Sequence, residues 1–176
     1  MKFLLITITY LSLFTSNDKL TNLYPRPANT EERLFFIQRN MNMNTIVYDA
    51  NFDENGNLNE ENPIRVYWIR FEEEGQEMEL RYLEKTLAYG IECSKSNTDK
   101  NQYKIKIVAD KSRELTLKQV APYKALIYLN INSKISLLDY MYIDADNSGF
   151  WPDLKFIELH GKDSSTGKKT YEKVLY

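Results

Sequence analysis

Apolar and aromatic residues recur along the chain in short runs, and most runs are bounded by asparagine, glycine, proline or serine. Runs that are rich in β-branched and aromatic residues favour strands, and turn-forming residues between them favour hairpins. The pattern predicts about nine or ten strands. They lie at residues 33–39, 44–52, 64–71, 91–94, 103–109, 114–119, 124–131, 135–144, 154–160 and 169–175. We therefore predict a mainly-β fold, an antiparallel meander that forms a sandwich or a barrel.

One segment has helical spacing instead. Leu80, Leu83, Leu87 and Ala88 fall on one helical face, with acidic residues in the first turn and a glycine after the last. Acidic side chains suit the N-terminal end of a helix dipole, and glycine commonly ends a helix. The spacing predicts one amphipathic helix over residues 77–89, packed on a sheet face or at a barrel mouth.

Three predicted strands carry apolar residues on both faces, as where Val66 and Trp68 alternate with Tyr67 and Ile69. A strand with one solvated face would alternate apolar with polar residues instead. Either the helix and the segment before residue 33 cover the second face, or that face lines a ligand cavity or a subunit contact.

The first residues have the order of a secretory signal peptide, with Lys2 followed by an uncharged apolar run to Phe14. That run is shorter than the roughly 20 residues of a membrane-spanning helix. The alternation of Ile6, Ile8 and Tyr10 with threonines also fits a buried first strand. We expect residues 1–16 to be a signal peptide, so that the protein is exported, periplasmic or secreted, with no membrane span after signal removal.

The rest of the chain divides into a leader and a domain. Residues 17–32 are polar and contain Pro25 and Pro27, which favour an extended backbone, so we expect a leader that lies along the domain. Residues 33–176 have the length of a single β-rich domain. The net charge of −2 gives no basic footprint, which argues against nucleic acid as a partner. The single cysteine, Cys93, cannot form an intrachain disulfide, and we expect it to be a small buried residue on a strand.

One loop has the spacing of a calcium site. Asn51, Asp53 and Asn55 place oxygen atoms at alternate positions before Gly56, as in an EF-hand loop, but Asn62 stands where that loop has a bidentate glutamate. The same spacing recurs at Asp144, Asp146, Ser148 and Gly149. These residues also form ordinary turns, so we predict no cofactor and keep calcium as the alternative.

Catalytic signals are weak. A glycosidase needs two carboxyl groups at a fixed separation across a cleft, and the acids in or near predicted strands are Asp49, Asp139, Asp144 and Glu158. The only histidine, His160, precedes a glycine at a predicted strand end, where we expect it at a turn, exposed or locally hydrogen-bonded. Whether the protein is an enzyme stays open at this point, and the pattern leans against it.

Arg39 lies at the end of a run that otherwise buries its side chains, so its guanidinium must be ion-paired or solvated. Asp49, on the adjacent predicted strand, is a possible partner. Alternatively, Arg39 presents a cation in a cavity to an anionic or carbohydrate ligand. Tyr48, Tyr67 and Trp68 would then supply aromatic walls for the ligand.

Four segments of the chain, RLFFIQR, NTIVYD, PIRVYWI and AYGI, begin at residues 33, 44, 63 and 88. In order and spacing they resemble a family of exported bacterial proteins that is classed only as a domain of unknown function. The resemblance is firmest over residues 33–91. It implies export and one compact domain, and it brings no activity, cofactor or catalytic residues.

These observations favour a non-catalytic exported β-domain that binds a small or extended ligand, or an envelope protein. One alternative is a carboxylate-based hydrolase of envelope or extracellular polysaccharide. Another is a structural component that assembles through a sheet face or edge.

Overall fold

The computed structural model describes residues 24–146, 148–149 and 152–176, so the predicted signal peptide lies outside the described residues. The described part of the chain is mainly β, as predicted, with one short helix, α1 (Tyr82–Leu87). Its eleven strands are β1 (Arg33–Arg39), β2 (Asn42–Ala50), β3 (Ile64–Arg70), β4 (Gln76–Glu79), β5 (Ile91–Lys95), β6 (Gln102–Ile107), β7 (Asp110–Ala121), β8 (Lys124–Ile131), β9 (Lys134–Asp146), β10 (Asp153–Asp163) and β11 (Lys169–Leu175).

All of these strands form one curled sheet with the order β4-β3-β2-β1-β9-β8-β7-β6-β5, and β10 and β11 continue from β9. Strand β9 connects the parts, because its first half pairs with β8, its second half with β1, and most of its length with β10. The sheet therefore has two wings, β1–β4 and β5–β8, and one apolar core draws side chains from both.

The predicted meander is present within each wing, where consecutive strands pair in antiparallel fashion. Two features of the topology depart from the predicted meander. Strand β1 runs parallel to β9, with Phe36 opposite Tyr140. Strands β4 and β5 follow one another in the chain but stand at opposite ends of the sheet order.

The predicted helix over residues 77–89 is wrong in its extent. Gln76–Glu79 form β4 instead, which pairs with β3 through a turn where Glu74 and Gly75 have φ of 60° and 78°. Leu80 is buried in the core, whereas Leu83 and Leu87 are 65% and 58% exposed. The hairpin supplies inter-strand hydrogen bonds to the segment that the apolar spacing assigned to a first helical turn.

The outer face of β1, β2, β3 and β9 carries a second apolar cluster of Phe36, Val47, Tyr67, Tyr140 and Tyr142. Residues 24–30 run across it in a non-strand conformation. The Arg26 guanidinium lies 4.5 Å from the ring centroid of Tyr140 and forms an ion pair with Asp139. The second apolar face of β1 and β9 is thus covered by the chain's own segment.

Two further observations concern Cys93 and helix length. Cys93 lies on strand β5 as expected, but it is exposed, because β5 is an edge strand with no neighbour beyond it among the described residues. A search of the described residues finds no helix with the length and hydropathy needed to cross a membrane.

Candidate functional site

Three of the four predicted ligand-binding residues meet at Tyr89, a residue that the sequence reasoning did not select. The Arg39 guanidinium lies 4.5 Å from the Trp68 ring centroid and donates to the Tyr89 hydroxyl at 3.0 Å. The Tyr48 hydroxyl donates to the main-chain oxygen of Tyr89 at 2.8 Å. The Trp68 indole N–H donates to Glu84 at 3.1 Å.

This cluster fastens the segment around α1 to the sheet. Tyr48 is fully buried, and burial, with a smaller electrostatic contribution from nearby Tyr89, raises the pKa of its hydroxyl, which keeps it a neutral donor. The Trp68 ring is already in contact with Arg39 over one face and with Tyr89 in a T-shaped arrangement. The arrangement is a packed cluster, and ligand binding by Arg39, Tyr48, Tyr67 and Trp68 stays a prediction.

Tyr67 points to the opposite face of the sheet. Its hydroxyl donates to Asp49 at 2.7 Å, and Asp49 also accepts a hydrogen bond from Arg33. The cationic partner of Asp49 is therefore Arg33 and not Arg39, the partner that the sequence suggested. Burial and the hydrogen bond to Asp49 raise the pKa of Tyr67 to about 12. Tyr67 does not share a site with Arg39, Tyr48 and Trp68.

A groove of about 340 Å³ lies where the sheet fails to close, between β3 and β5. Its floor is apolar, and its rim carries polar and charged groups. The floor residues are Ile64, Val66, Leu80, Gly90 and Ile91, and the rim residues are Asn51, Asn62, Arg65, Glu79 and Lys85. We call this site the seam groove.

The rim charges of the seam groove compensate one another. Arg65 forms ion pairs with Glu77 at 3.1 Å and Glu79 at 3.6 Å, and Lys85 pairs with Glu79 at 3.6 Å. Partial burial alone would lower the pKa of Arg65, but the hydrogen bond and charge of Glu77 outweigh it and raise the pKa. The rim is thus close to neutral and offers no isolated charge to a ligand.

Two other concave regions are less suited to a ligand. A polar groove of about 460 Å³ between β7, β8 and β11 contains the Asn132 N–H, which already donates to Glu172 at 2.6 Å. An apolar cavity of about 50 Å³ lies under Tyr89, among core residues such as Ile37 and Met141. That volume is far below the roughly 300 Å³ of small-molecule sites.

The loop with calcium-like spacing is held together by its own hydrogen bonds. One Asp53 oxygen accepts the N–H groups of Asn55 and Asn57, and the Asn51 amide donates to the main-chain oxygen of Asn62. In the second loop, Asp146 accepts from the Ser148 N–H and pairs with Lys155, and these hydrogen bonds together with that charge lower its pKa. Calcium binding at either loop stays a prediction.

The four candidate carboxylates all stand outside the seam groove. Asp49 pairs with Arg33, Asp139 with Arg26, and Glu158 accepts from the Tyr171 hydroxyl at 3.1 Å. None of the four lines the two grooves or the cavity described above. The hydrolase alternative gains no support from this placement.

His160 is not at a turn, as expected, but inside β10, where a β-bulge separates it from Gly161. Its ring stacks on Tyr140 with centroids 4.2 Å apart, and its Nε2 lies 3.5 Å from Glu158. Burial lowers the pKa of His160 below its ordinary value of 6.5, although Glu158 opposes this. His160 is therefore a largely neutral ring within an aromatic row.

The sequence reasoning missed the residues of the seam groove because the groove forms only if β4 and β5 are not neighbours in the sheet. No local sequence pattern encodes that arrangement. In comparison with known families, a family model described as "Domain of unknown function (DUF4833)" matches residues 35–173. Neither the curated proteins nor the solved structures contain a match to the chain.

Proposed function

The chain belongs to the DUF4833 family of domains of unknown function, and we propose that it is an exported, non-catalytic domain that binds an extended ligand in the seam groove. The observation that carries this proposal is the opening of the curled sheet between β3 and β5, with an apolar floor under a neutral polar rim. Most ligand sites combine a concave apolar surface with a few polar groups that orient the ligand.

The shape of the groove favours an extended ligand over a compact one. It runs between two strands instead of ending in an enclosed chamber, and its floor side chains Ile64 and Ile91 belong to opposite borders. A long ligand would contact both strands at once. Such a ligand could be a polypeptide segment of an envelope protein or a glycan chain.

The lining of the groove supports the non-catalytic part of the proposal. Its ionisable side chains are Arg65, Glu79 and Lys85, and they are paired with one another. None of the three is adjacent to a serine, cysteine or histidine of the groove lining. Acid–base or nucleophilic catalysis needs such a pairing of groups within hydrogen-bond reach.

Export is supported by the sequence of residues 1–16, with one early lysine and an uncharged apolar run. The ligand would then be a molecule of the periplasm or of the extracellular space. Expression with an epitope tag after residue 176, followed by cell fractionation, tests the location. Protein that remains with the cytoplasmic fraction at full length would contradict the proposal.

Binding is tested with two probe sets, linear peptides displayed on phage and an array of bacterial glycans. Ile91→Arg places a long charged side chain across the floor of the seam groove. Ile135→Arg is the matched control, because Ile135 is 66% exposed on β9, outside the groove. We expect probes bound by the wild type to lose binding to Ile91→Arg and to keep binding to Ile135→Arg. Equal binding by both folded variants would place the ligand elsewhere and overturn the proposal.

A further inference from the structure

Both strands that border the seam groove have unpaired edges. Among the described residues, β5 pairs only with β6. Strand β3 pairs with β2 from Ile64 onward, but β4 begins to cover its other side only at Tyr67. An unpaired edge presents main-chain N–H and C=O groups that another extended chain can bind.

The hydrogen-bond register shows which main-chain groups of β5 point away from β6, along the free edge. Val108 N–H donates to the Gly90 oxygen at 2.9 Å, and Ser96 N–H donates to the Gln102 oxygen at 2.8 Å. In an antiparallel ladder every second residue bonds to a given neighbour. Even-numbered residues of this segment therefore bond to β6. Ile91, Cys93 and Lys95 direct their main-chain groups away from β6, along the free edge.

The same reasoning applies to β3. Asn51 N–H donates to the Pro63 oxygen at 2.9 Å, so Pro63 and Arg65 bond to β2, and Ile64 directs its main-chain groups to the other side. That side is the seam groove, because Ile64 is one of its floor residues. Main-chain groups from both borders thus face the same groove.

We propose that the ligand of the seam groove is an extended polypeptide segment of a partner protein, which adds to the free edge of β5 as a further strand. This inference rests on the proposed function and narrows it from an extended ligand to a peptide main chain. Strand addition supplies affinity through main-chain hydrogen bonds, and alternate side chains supply specificity.

The chemistry of the groove also indicates the peptide's side chains. Arg65, Lys85 and Glu79 are paired with one another or with Glu77, and Lys95 is paired with Glu60, which joins the end of β5 to the loop before β3. A charged peptide would find no uncompensated partner on this rim. An uncharged segment with apolar residues at alternate positions would place them on the apolar floor.

The decisive probe is a peptide selected from the phage library with the wild-type protein and then synthesised in two N-methylated forms. One form carries N-methyl groups at odd positions and the other at even positions. Methylation removes the N–H donor without changing the side chain. We expect one form to lose about tenfold or more in affinity, because hydrogen bonds along one edge are lost, and the other to bind almost normally. Equal binding by both forms would overturn strand addition.

A second test changes the protein. Cys93→Pro removes an N–H on the free edge of β5 that is not used in pairing with β6, and an edge strand tolerates proline at such a position. Cys93→Ala is the matched control. We expect Cys93→Pro to lose peptide binding about tenfold and Cys93→Ala to retain it, with thermal unfolding as the check that both are folded. If Cys93→Pro does not fold, the N-methylated peptides still decide.

The outcomes of these experiments distinguish failure of the strand-addition inference from failure of the proposed function. If Ile91→Arg abolishes binding but both N-methylated peptides bind alike, the groove is a binding site and strand addition is wrong. If only glycans bind in the groove, the peptide inference is overturned and the extended-ligand proposal stands. If neither probe set depends on Ile91, both proposals fail.

Discussion

The guanidinium of Arg39 packs against the rings of both Trp68 and Tyr89, with its carbon 4.5 Å and 5.6 Å from their centroids. It also donates to Asn42 at 3.1 Å and to the Tyr89 hydroxyl at 3.0 Å. One cation thereby links the end of β1 to β3 and to the segment that precedes β5. The position of the seam groove depends on this link, because that segment forms part of its floor.

Arg39→Met should destabilise the fold by about 2 kcal/mol, because it retains the aliphatic stem and removes both the cation–π contact and the hydrogen bonds. Arg39→Lys keeps the charge but not the planar group, so we expect a loss of similar size. Urea unfolding of the three proteins measures the difference. A change below roughly 0.5 kcal/mol for both variants would show that the cluster does not brace the segment.

The Tyr67 hydroxyl makes stability depend on alkaline pH. Because its pKa is raised in the folded protein, its contribution is fully present below pH 10 and is lost as pH rises through about 12. Tyr67→Phe should make the free energy of unfolding, measured with urea, fall less steeply between pH 10 and about 12. Tyr82→Phe is the control, since Tyr82 is 79% exposed and should leave the profile unchanged. Superimposable profiles for wild type and Tyr67→Phe would contradict the expectation.

The stability contributed by His160 is lost at acidic pH instead of alkaline pH. Its pKa is lowered by burial, so its contribution to stability is fully present above the unfolded value of about 6.5 and is lost as pH falls through the folded value. His160→Phe should reduce the acid sensitivity while it keeps a ring against Tyr140. His160 is the only histidine, so its imidazole resonance can be followed by NMR without further assignment. A titration midpoint at or above 6.5 would refute the prediction.

Gly56 and Gly167 allow two costs of replacing a glycine to be compared, backbone strain and steric clash. Both have positive φ, of 79° and 69°, but a Cβ at Gly56 would lie 2.7 Å from the Tyr123 ring, while none of the surrounding atoms is within 4 Å at Gly167. Alanine at Gly167 should lose about 1 kcal/mol from backbone strain, and alanine at Gly56 about 1–3 kcal/mol more from the clash. Denaturant unfolding of both variants checks this, and equal losses would argue against the contact.

Cys93 should be accessible yet slow to react. Its side chain is exposed on β5, but partial desolvation raises the pKa of its thiol above the ordinary value of 9.0. We expect the alkylation rate of the native protein to reach half of its maximum above pH 9. The urea-unfolded chain serves as the reference, with a midpoint near the ordinary value. Identical profiles for the two states would exclude the effect.

The sequence was a good guide to the strands and a poor guide to their neighbours. Alternation of Tyr103, Ile105 and Ile107 marked β6, because side chains of a half-exposed strand repeat every two residues. Nothing local indicates that Phe36 lies beside Tyr140. The helix was overextended at its start because Gln76–Glu79 pair with β3 as strand β4, a contact that apolar spacing does not encode.

The candidate site was predictable only in its parts. Arg39 was selected as a charged residue on an apolar strand and Trp68 as an aromatic wall, and the structure brings the two together. Their interaction partner, Tyr89, was assigned to the end of the predicted helix but lies beyond α1, so its position could not be inferred from the sequence. The seam groove combines residues from β3, the α1 segment and β5, and its existence depends on tertiary topology rather than on any periodic pattern.

The parallel pairing of β1 with β9 bears on how the molecule folds. Phe36 and Tyr140 are about a hundred residues apart in the chain, so their pairing closes a long loop and carries a large entropic penalty before any contact compensates for it. The first wing cannot be anchored until most of the polypeptide has been synthesised. If the chain is exported as we propose, slow closure of this loop would keep it unfolded during passage through a narrow translocation channel.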